Sequence, residues 1–260
     1  MPEKLVSFSN VTKRFPAASG HRGAWFTAVD SVSFDLYEGE VLGLLGESGC
    51  GKSTLARMLM GLIPPTGGEI RYRGQVVSGM EERAFRPLRR ELQMVFQNPF
   101  GCLDPQMKVE RLLMEPLRLW RIGKDDGERR TRIRQMLSEC GLPADSLEKR
   151  PGEFSGGQLQ RIAIARALLV RPKLLVADEI VSALDVSVQS QVLQLLLDMH
   201  KRYGLSMLFI THDLAVMARM ADRVMVMQGG RLRQIGSCGE VMDHPTDSYM
   251  IALKESGYWL

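Results

Sequence analysis

Val41-Leu42-Gly43-Leu44-Leu45-Gly46-Glu47-Ser48-Gly49-Cys50-Gly51-Lys52-Ser53-Thr54-Leu55-Ala56-Arg57-Met58-Leu59-Met60 is the stretch from which the rest of the chain can be read. Its first five residues form a short apolar run with polar flanks, the pattern of a buried strand. From Thr54 the composition and spacing turn helical. Between the two lies G-x-x-x-x-G-K-[ST], and strand, glycine loop and helix is the context that a phosphate-binding loop requires. Glycines let backbone N–H groups wrap an anion without Cβ interference. The helix that starts at the loop turns its positive end toward that anion. Lys52 is placed to reach β- and γ-phosphates, and the Ser53 hydroxyl to ligate Mg²⁺. A glycine-rich turn with no ligand is the alternative, and the flanking strand and helix speak against it.

A chain of 260 residues can bury a sizeable core, as one large domain or a domain with an attached lobe. Its 45% apolar and 25% charged residues are those of an ordinary globular protein. A formal charge of +4 is mild, and the basic residues are spread out, so no nucleic-acid partner is expected. Cys50, Cys102, Cys140 and Cys238 lie far apart without C-x-x-C spacing. That argues against zinc and a disulfide framework and for reduced thiols in the cytosol. Met1-Pro2-Glu3-Lys4 lacks the apolar region of a signal peptide. No apolar run reaches the ~18 residues needed to span a bilayer, so a membrane role has to come through a partner.

Residues 5–11 and 29–36 alternate like strands, with a Gly, Ala and Ser-rich loop from Pro16 to Gly23 between them. Beyond the phosphate loop, Pro64-Pro65-Thr66-Gly67-Gly68 reads as a turn, and short strands are expected at 70–72, 75–77 and 92–97. From Pro99 to about Gly157 the character changes. The segments 108–121 and 126–140 have helical spacing and are rich in Leu, Met and Arg, the mark of a helical lobe inserted into an α/β core. Helices are expected over 158–170, 186–203 and 214–220, and strands at 174–177 and 207–211. A hairpin turns at Gly229-Gly230, and the tail from Val241 to Leu260 has a helical ending.

Leu174-Leu175-Val176-Ala177-Asp178-Glu179 sets two carboxylates at the carboxyl end of an apolar strand, the edge of an open parallel sheet where ligands bind. Asp178 suits Mg²⁺ through water. Glu179 suits a general base that polarises an attacking water. A helix N-cap is the plainer role for such residues. Phe154-Ser155-Gly156-Gly157-Gln158 opens another helix and offers a hydroxyl, backbone amides and a helix N-terminus, a second anion cradle; a serine N-cap with a glycine turn is its plainer reading. One nucleotide does not need two cradles from one molecule unless they meet across an interface. The pattern therefore implies a dimer with nucleotide at the seam.

Taken together, Gly46–Ser53, Gln97, Ser155–Gln158, Asp178–Glu179, Ser182-Ala183-Leu184-Asp185 and Thr211-His212-Asp213 stand in the order and spacing of an ABC-type ATPase domain, which the chain resembles over nearly its whole length. The resemblance implies a P-loop NTPase fold of α/β class, an ABC-type ATPase core with an antiparallel β subdomain and an inserted α-helical lobe. It implies a single domain over 1–260, with the core in 1–97 and 158–260 and the lobe over about 98–157. Gly46, Glu47, Ser48, Gly49, Cys50, Gly51, Lys52, Ser53 and Thr54 are then Walker A. Ser155, Gly156, Gly157 and Gln158 are the signature motif, and Asp185 ends the D-loop. Asp178 closes Walker B, Glu179 is the catalytic base, and His212 is the switch histidine that contacts the γ-phosphate. Gln97 senses Mg²⁺ and water. Phe15 holds the position of the aromatic that stacks on adenine, with Trp25 and Phe26 as rivals. Ile180 stands where proline usually follows the base, which removes a fixed φ and implies a looser loop. Phe154 replaces the common Leu before the signature serine.

Four strings are similar to the oligopeptide, dipeptide and nickel importer group: Gln97-Asn98-Pro99-Phe100 with Leu103-Asp104-Pro105, Glu179–Asp185, Phe209–Leu214, and His244-Pro245-Thr246. The chain stops soon after the last of them, at Tyr258-Trp259-Leu260, which favours the nickel or metal-chelate branch. The resemblance implies ATP and Mg²⁺ as cofactors. Implied partners are a second ABC ATPase subunit, in a homodimer or, the favoured form, a heterodimer, two integral-membrane permease subunits and an extracytoplasmic solute-binding protein. The place implied is the cytoplasmic face of the cell membrane. A soluble ABC ATPase acting on DNA or ribosomes is the rival, and such relatives carry long coiled-coil insertions, zinc modules or tandem domains. The sixteen methionines fall at helix or strand spacing and read as core, not as metal ligands. Arg118, Arg121, Arg129, Arg130, Arg132 and Arg134 read as a solvated helix face.

Overall fold

The computed structural model describes residues 3–16 and 25–255. The expected loop over 17–23 and the Tyr258–Leu260 ending lie outside them. The elements begin with β1 (Lys4–Pro16), β2 (Trp25–Tyr37), β3 (Val41–Leu45), α1 (Lys52–Leu59), β4 (Gly67–Tyr72), β5 (Gln75–Val76) and α2 (Glu82–Phe85). Next come β6 (Leu92–Val95), α3 (Val109–Leu119), α4 (Asp126–Glu139), α5 (Gly156–Leu168), β7 (Leu174–Asp178) and α6 (Val186–Tyr203). The chain ends with β8 (Ser206–Thr211), α7 (Leu214–Met220), β9 (Arg223–Gln228), β10 (Arg231–Ser237), α8 (Cys238–Asp243) and α9 (Ser248–Glu255). Residues up to Pro87 and from Ser206 onward form one compact unit, and Leu88–Leu205 form the other.

In the first unit, β2-β1-β4-β5 make an antiparallel sheet. Its core comes from alternation: Phe8 and Phe34 stack with centroids 4.5 Å apart. The alternation does not run straight through. Asn10 and Ser31 both take φ near +50° where the β1–β2 register shifts, and the shift turns Val29 inward beside Val32. A bulge of this kind moves every later side chain to the opposite face. The remaining strands of this unit run β10-β9-β3-β8, with β3 parallel to both neighbours and β10 antiparallel to β9. All residues of β3 and β8 are buried, as expected of parallel strands covered on both faces.

The second unit holds the parallel pair β6 and β7 and the longest helices, α3, α4, α5 and α6. Residues 98–157 carry only helices and turns; α3 buries Val109, Leu112, Leu113, Met114 and Leu117 along one stripe. The arginines are largely paired within the chain: Arg118 and Arg129 with Asp126, Arg130 with Glu110 and Arg132 with Glu128. Met58, Met217, Met220, Met225 and Met227 are buried in the core. Sequence spacing gave no sign of α2, a single short turn of helix that seats Phe85 under Gly61.

Candidate functional site

The phosphate loop leaves β3 after Leu45 and enters α1 at Lys52. Glu47, Ser48 and Gly49 are exposed, whereas Gly46, Cys50, Gly51 and Lys52 are buried, and Ser53 and Thr54 are half-buried. The glycines are dictated by neighbours: a Cβ on Gly46 would lie 2.3 Å from the Met227 carbonyl oxygen, and one on Gly51 2.4 Å from that of Ala28. Lys52 Nζ donates to the carbonyls of Gly46 at 2.6 Å and Glu47 at 2.8 Å. The lysine thus folds onto its own loop, where its charge sits 4% exposed at the place a phosphate would bring negative charge. Burial pushes the Cys50 thiol above its usual value.

Two strands bring His212 to the same edge. β3 and β8 are parallel with Leu45 opposite Thr211, so the loop and His212 both leave the carboxyl ends of adjacent strands. His212 is exposed, and Asp213 next to it caps α7 by accepting from Val216 N–H at 2.9 Å. Phe15 is half-buried on β1, paired across the ladder with Phe26, as Pro16 is with Trp25. Lys13 Nζ lies 5.0 Å from the Phe15 ring centroid and donates to the Pro64 carbonyl at 2.7 Å. Trp25 and Phe26 are 62% and 57% exposed.

In the second unit, β6 and β7 are parallel with Val95 opposite Ala177, so Gln97 and Glu179 each follow two residues beyond a matched pair. Asp178 ends β7 and is 7% exposed. Gln97 Nε2 donates to Ser182 Oγ at 3.2 Å, and Ser182 Oγ donates to the Glu179 carbonyl at 2.9 Å. Ser182 N–H reaches the same carbonyl at 3.2 Å. Glu179 takes a left-handed φ of +49°, costly for a residue with a Cβ, and these bonds hold it there. Ile180 and Val181, which follow the glutamate, are each 2% exposed.

Ser155 is the N-cap of α5 in a reciprocal capping box: its hydroxyl accepts from Gln158 N–H, and Gln158 Oε1 accepts from Ser155 N–H at 3.0 Å. Ser155, Gly156 and Gln158 are exposed. Gly157 is buried, and a Cβ there would meet Val188 Cγ1 at 2.1 Å, so this glycine serves the approach of α5 to α6. Asp185 caps α6, accepting from Val188 N–H at 2.9 Å and Ser187 Oγ at 2.7 Å. The bond from the Val188 amide leads the causes that hold its carboxyl below the usual range. Sequence reasoning missed Ser182 as the link between Gln97 and Glu179, because no spacing rule reveals a turn folding back on its own carbonyl.

A family model described as ABC transporter matches residues 29–182. The chain is 42% identical over 254 residues to the oligopeptide transport ATP-binding protein OppF of Escherichia coli (strain K12), across 96% of this chain and 76% of that protein. It is 47% identical over 249 residues to a putative peptide import ATP-binding protein of Brucella ovis, across 96% and 77%. Among solved structures it is similar to the ATP-binding cassette MJ0796, in a dimeric post-hydrolysis state bound to ADP and Pi. There the TM-score is 0.81 at 28% identity, over 90% of this chain and 98% of that one. Its likeness to cbiO1 from Clostridium perfringens, part of the ABC transporter complex cbiONQ, has a TM-score of 0.80 at 26% identity, over 93% and 92%. The nickel branch expected from the chain's ending finds no support in these relatives. Fold, motif order and likeness to known proteins agree: the chain belongs to the ABC transporter family, as an ATP-binding subunit.

Proposed function

We propose that the chain is the ATP-hydrolysing subunit of a membrane importer for peptides, held at the cytoplasmic face of the membrane by two permease subunits. It works there with a second, unlike ATPase subunit, and an extracytoplasmic binding protein delivers the solute. The chain acts as one ABC ATPase domain with a helical lobe over about 98–157. The observation that carries the reading is the loop between β3 and α1, with Lys52 turned onto the Gly46 and Glu47 carbonyls. A triphosphate would draw the lysine off those carbonyls, while the glycine backbone and the α1 N-terminus supply the cradle. The peptide class of solute rests on relatives 42% and 47% identical that are named for peptides. The rival, a soluble ATPase on DNA or ribosomes, is not favoured beside these peptide-named relatives.

Mg²⁺ takes one or two protein oxygens plus phosphates and waters, so Ser53 Oγ and, through water, Asp178 would hold it, and Gln97 would sense it. When bound, Mg²⁺ neutralises charge on the phosphates. Glu179 accepts the proton of the attacking water as its oxygen bonds to the γ-phosphorus and the bond to the leaving ADP breaks. His212 contacts the γ-phosphate. Ser155, Gly156 and Gln158 meet it from the other subunit, with Gly157 behind them and Asp185 at the seam. Phe15 stacks on adenine, flanked by Phe26 and Trp25.

Glu179→Gln tests the chemistry. The variant should bind ATP as the parent does and hydrolyse it at least ~100-fold more slowly. Hydrolysis at the parental rate would remove Glu179 from the base role. Uptake of a radiolabelled dipeptide against nickel in a strain lacking the gene tests the solute, and restoration of nickel uptake alone would overturn the peptide reading.

A further inference from the structure

The geometry points to Tyr249, which lies outside every motif named above, as a positioning residue for the phosphate loop. Its hydroxyl accepts a hydrogen bond from the Glu47 N–H at 3.2 Å. The carbonyl of the same peptide unit, that of Gly46, accepts from Lys52 Nζ at 2.6 Å. The Gly46–Glu47 peptide is therefore gripped from both ends, by the lysine on its oxygen and by the tyrosine on its amide. The inference rests on the reading that Lys52 leaves this carbonyl for the triphosphate. Tyr249 then keeps the peptide's orientation while its oxygen is released, so the amides that follow stay aimed at the phosphates.

The tyrosine is well supported for this. It is 7% exposed and sits in a core cluster with Leu45, the last residue of β3, and with Leu214, Val226 and Met250. Burial pushes its phenol above the usual value, so the hydroxyl stays protonated through the neutral range. The entry to α9 is fixed in turn. Asp247 Oδ1 accepts from Tyr249 N–H at 2.9 Å, and Gln234 Oε1 on β10 accepts from the N–H groups of Thr246 and Asp247 at 3.3 and 3.2 Å. Asp247 also pairs with Arg233 at 3.2 Å. The His244-Pro245-Thr246 string thus belongs to a turn locked onto β10, and the turn sets where the Tyr249 hydroxyl falls.

Tyr249→Phe in the full chain removes the hydroxyl and keeps the buried ring. Two readouts apply: equilibrium binding of a fluorescent ATP analogue, and amide hydrogen exchange at Glu47 without nucleotide. The loss of one hydrogen bond at the loop should raise the analogue's Kd about three- to tenfold. Exchange at Glu47 should quicken, with the thermal midpoint close to the parent's. A purely structural tyrosine would lower the midpoint and leave affinity and Glu47 exchange alone; that result, or parental values throughout, overturns the inference. Gln234→Ala, which frees the turn, should shift both readouts the same way by less, and it serves if the phenylalanine variant does not fold. A parent that binds no nucleotide counts against the proposed function, while Glu47 exchange still decides the brace.

Discussion

Gly46 and Gly49 lie three positions apart and carry different burdens. Both take positive φ, +154° and +81°, but a Cβ on Gly46 would strike the Met227 carbonyl oxygen at 2.3 Å, while Gly49 has nothing within 4 Å. Gly49 answers only to conformation, and Gly46 also to a wall of backbone that cannot swing aside. Gly49→Ala should therefore cost about 1–2 kcal/mol of stability, the usual penalty of a left-handed alanine. Gly46→Ala adds overpacking worth about 1–3 kcal/mol to that. Urea midpoints measure both, and equal losses would contradict the wall. The motif pattern G-x-x-x-x-G-K-S marks both ends of the loop, but it says nothing of Met227, which is far away in sequence.

The start of α5 shows one side chain in two offices. Ser155 caps the helix, and the proposed function also gives it a phosphate on the facing subunit. The two can be separated. Ser155→Ala removes the cap and should cost about 1 kcal/mol. Ser155→Asp restores a capping acceptor, so the thermal midpoint should recover, yet a carboxylate set against a triphosphate should abolish hydrolysis in the assembled transporter. Recovery of both properties in the aspartate variant would leave the serine a cap and nothing more. At this scale the sequence was a good guide to α6, α7 and the β9–β10 hairpin, whose periodicity and turn glycines are local signals. It located strands within β1 and β2 but missed their full extent and the bulges at Asn10 and Ser31 that break the alternation.

Across the whole molecule, the four cysteines are free thiols, and burial pushes every one of them above its usual value, Cys140 to about 12. A raised value means less thiolate at neutral pH, and the thiolate is the reactive form. The native protein should accordingly alkylate slowly. The half-buried Cys102 and Cys238 should go first and Cys140 last, and all four should react at similar rates in urea. Mass spectrometry of iodoacetamide-treated protein checks the order. Rapid labelling of Cys140 in the native state would show that its surroundings open far more often than a packed core does.

The sequence by itself determined the phosphate loop, the carboxylates at the end of β7, the order of the motifs and the family they spell. Those signals are short and local, and the chemistry tolerates few residue types at each spacing. Tertiary structure alone decided what holds these groups in place: the Ser182 turn on the Glu179 carbonyl, Val188 against Gly157, the Met227 oxygen against Gly46 and the Tyr249 hydroxyl on the Glu47 amide. Each is a contact made by folding, several between residues far apart in the chain, where a hydrogen bond or a steric limit depends on tenths of an ångström. No periodicity or composition carries that information; only the packed backbone does.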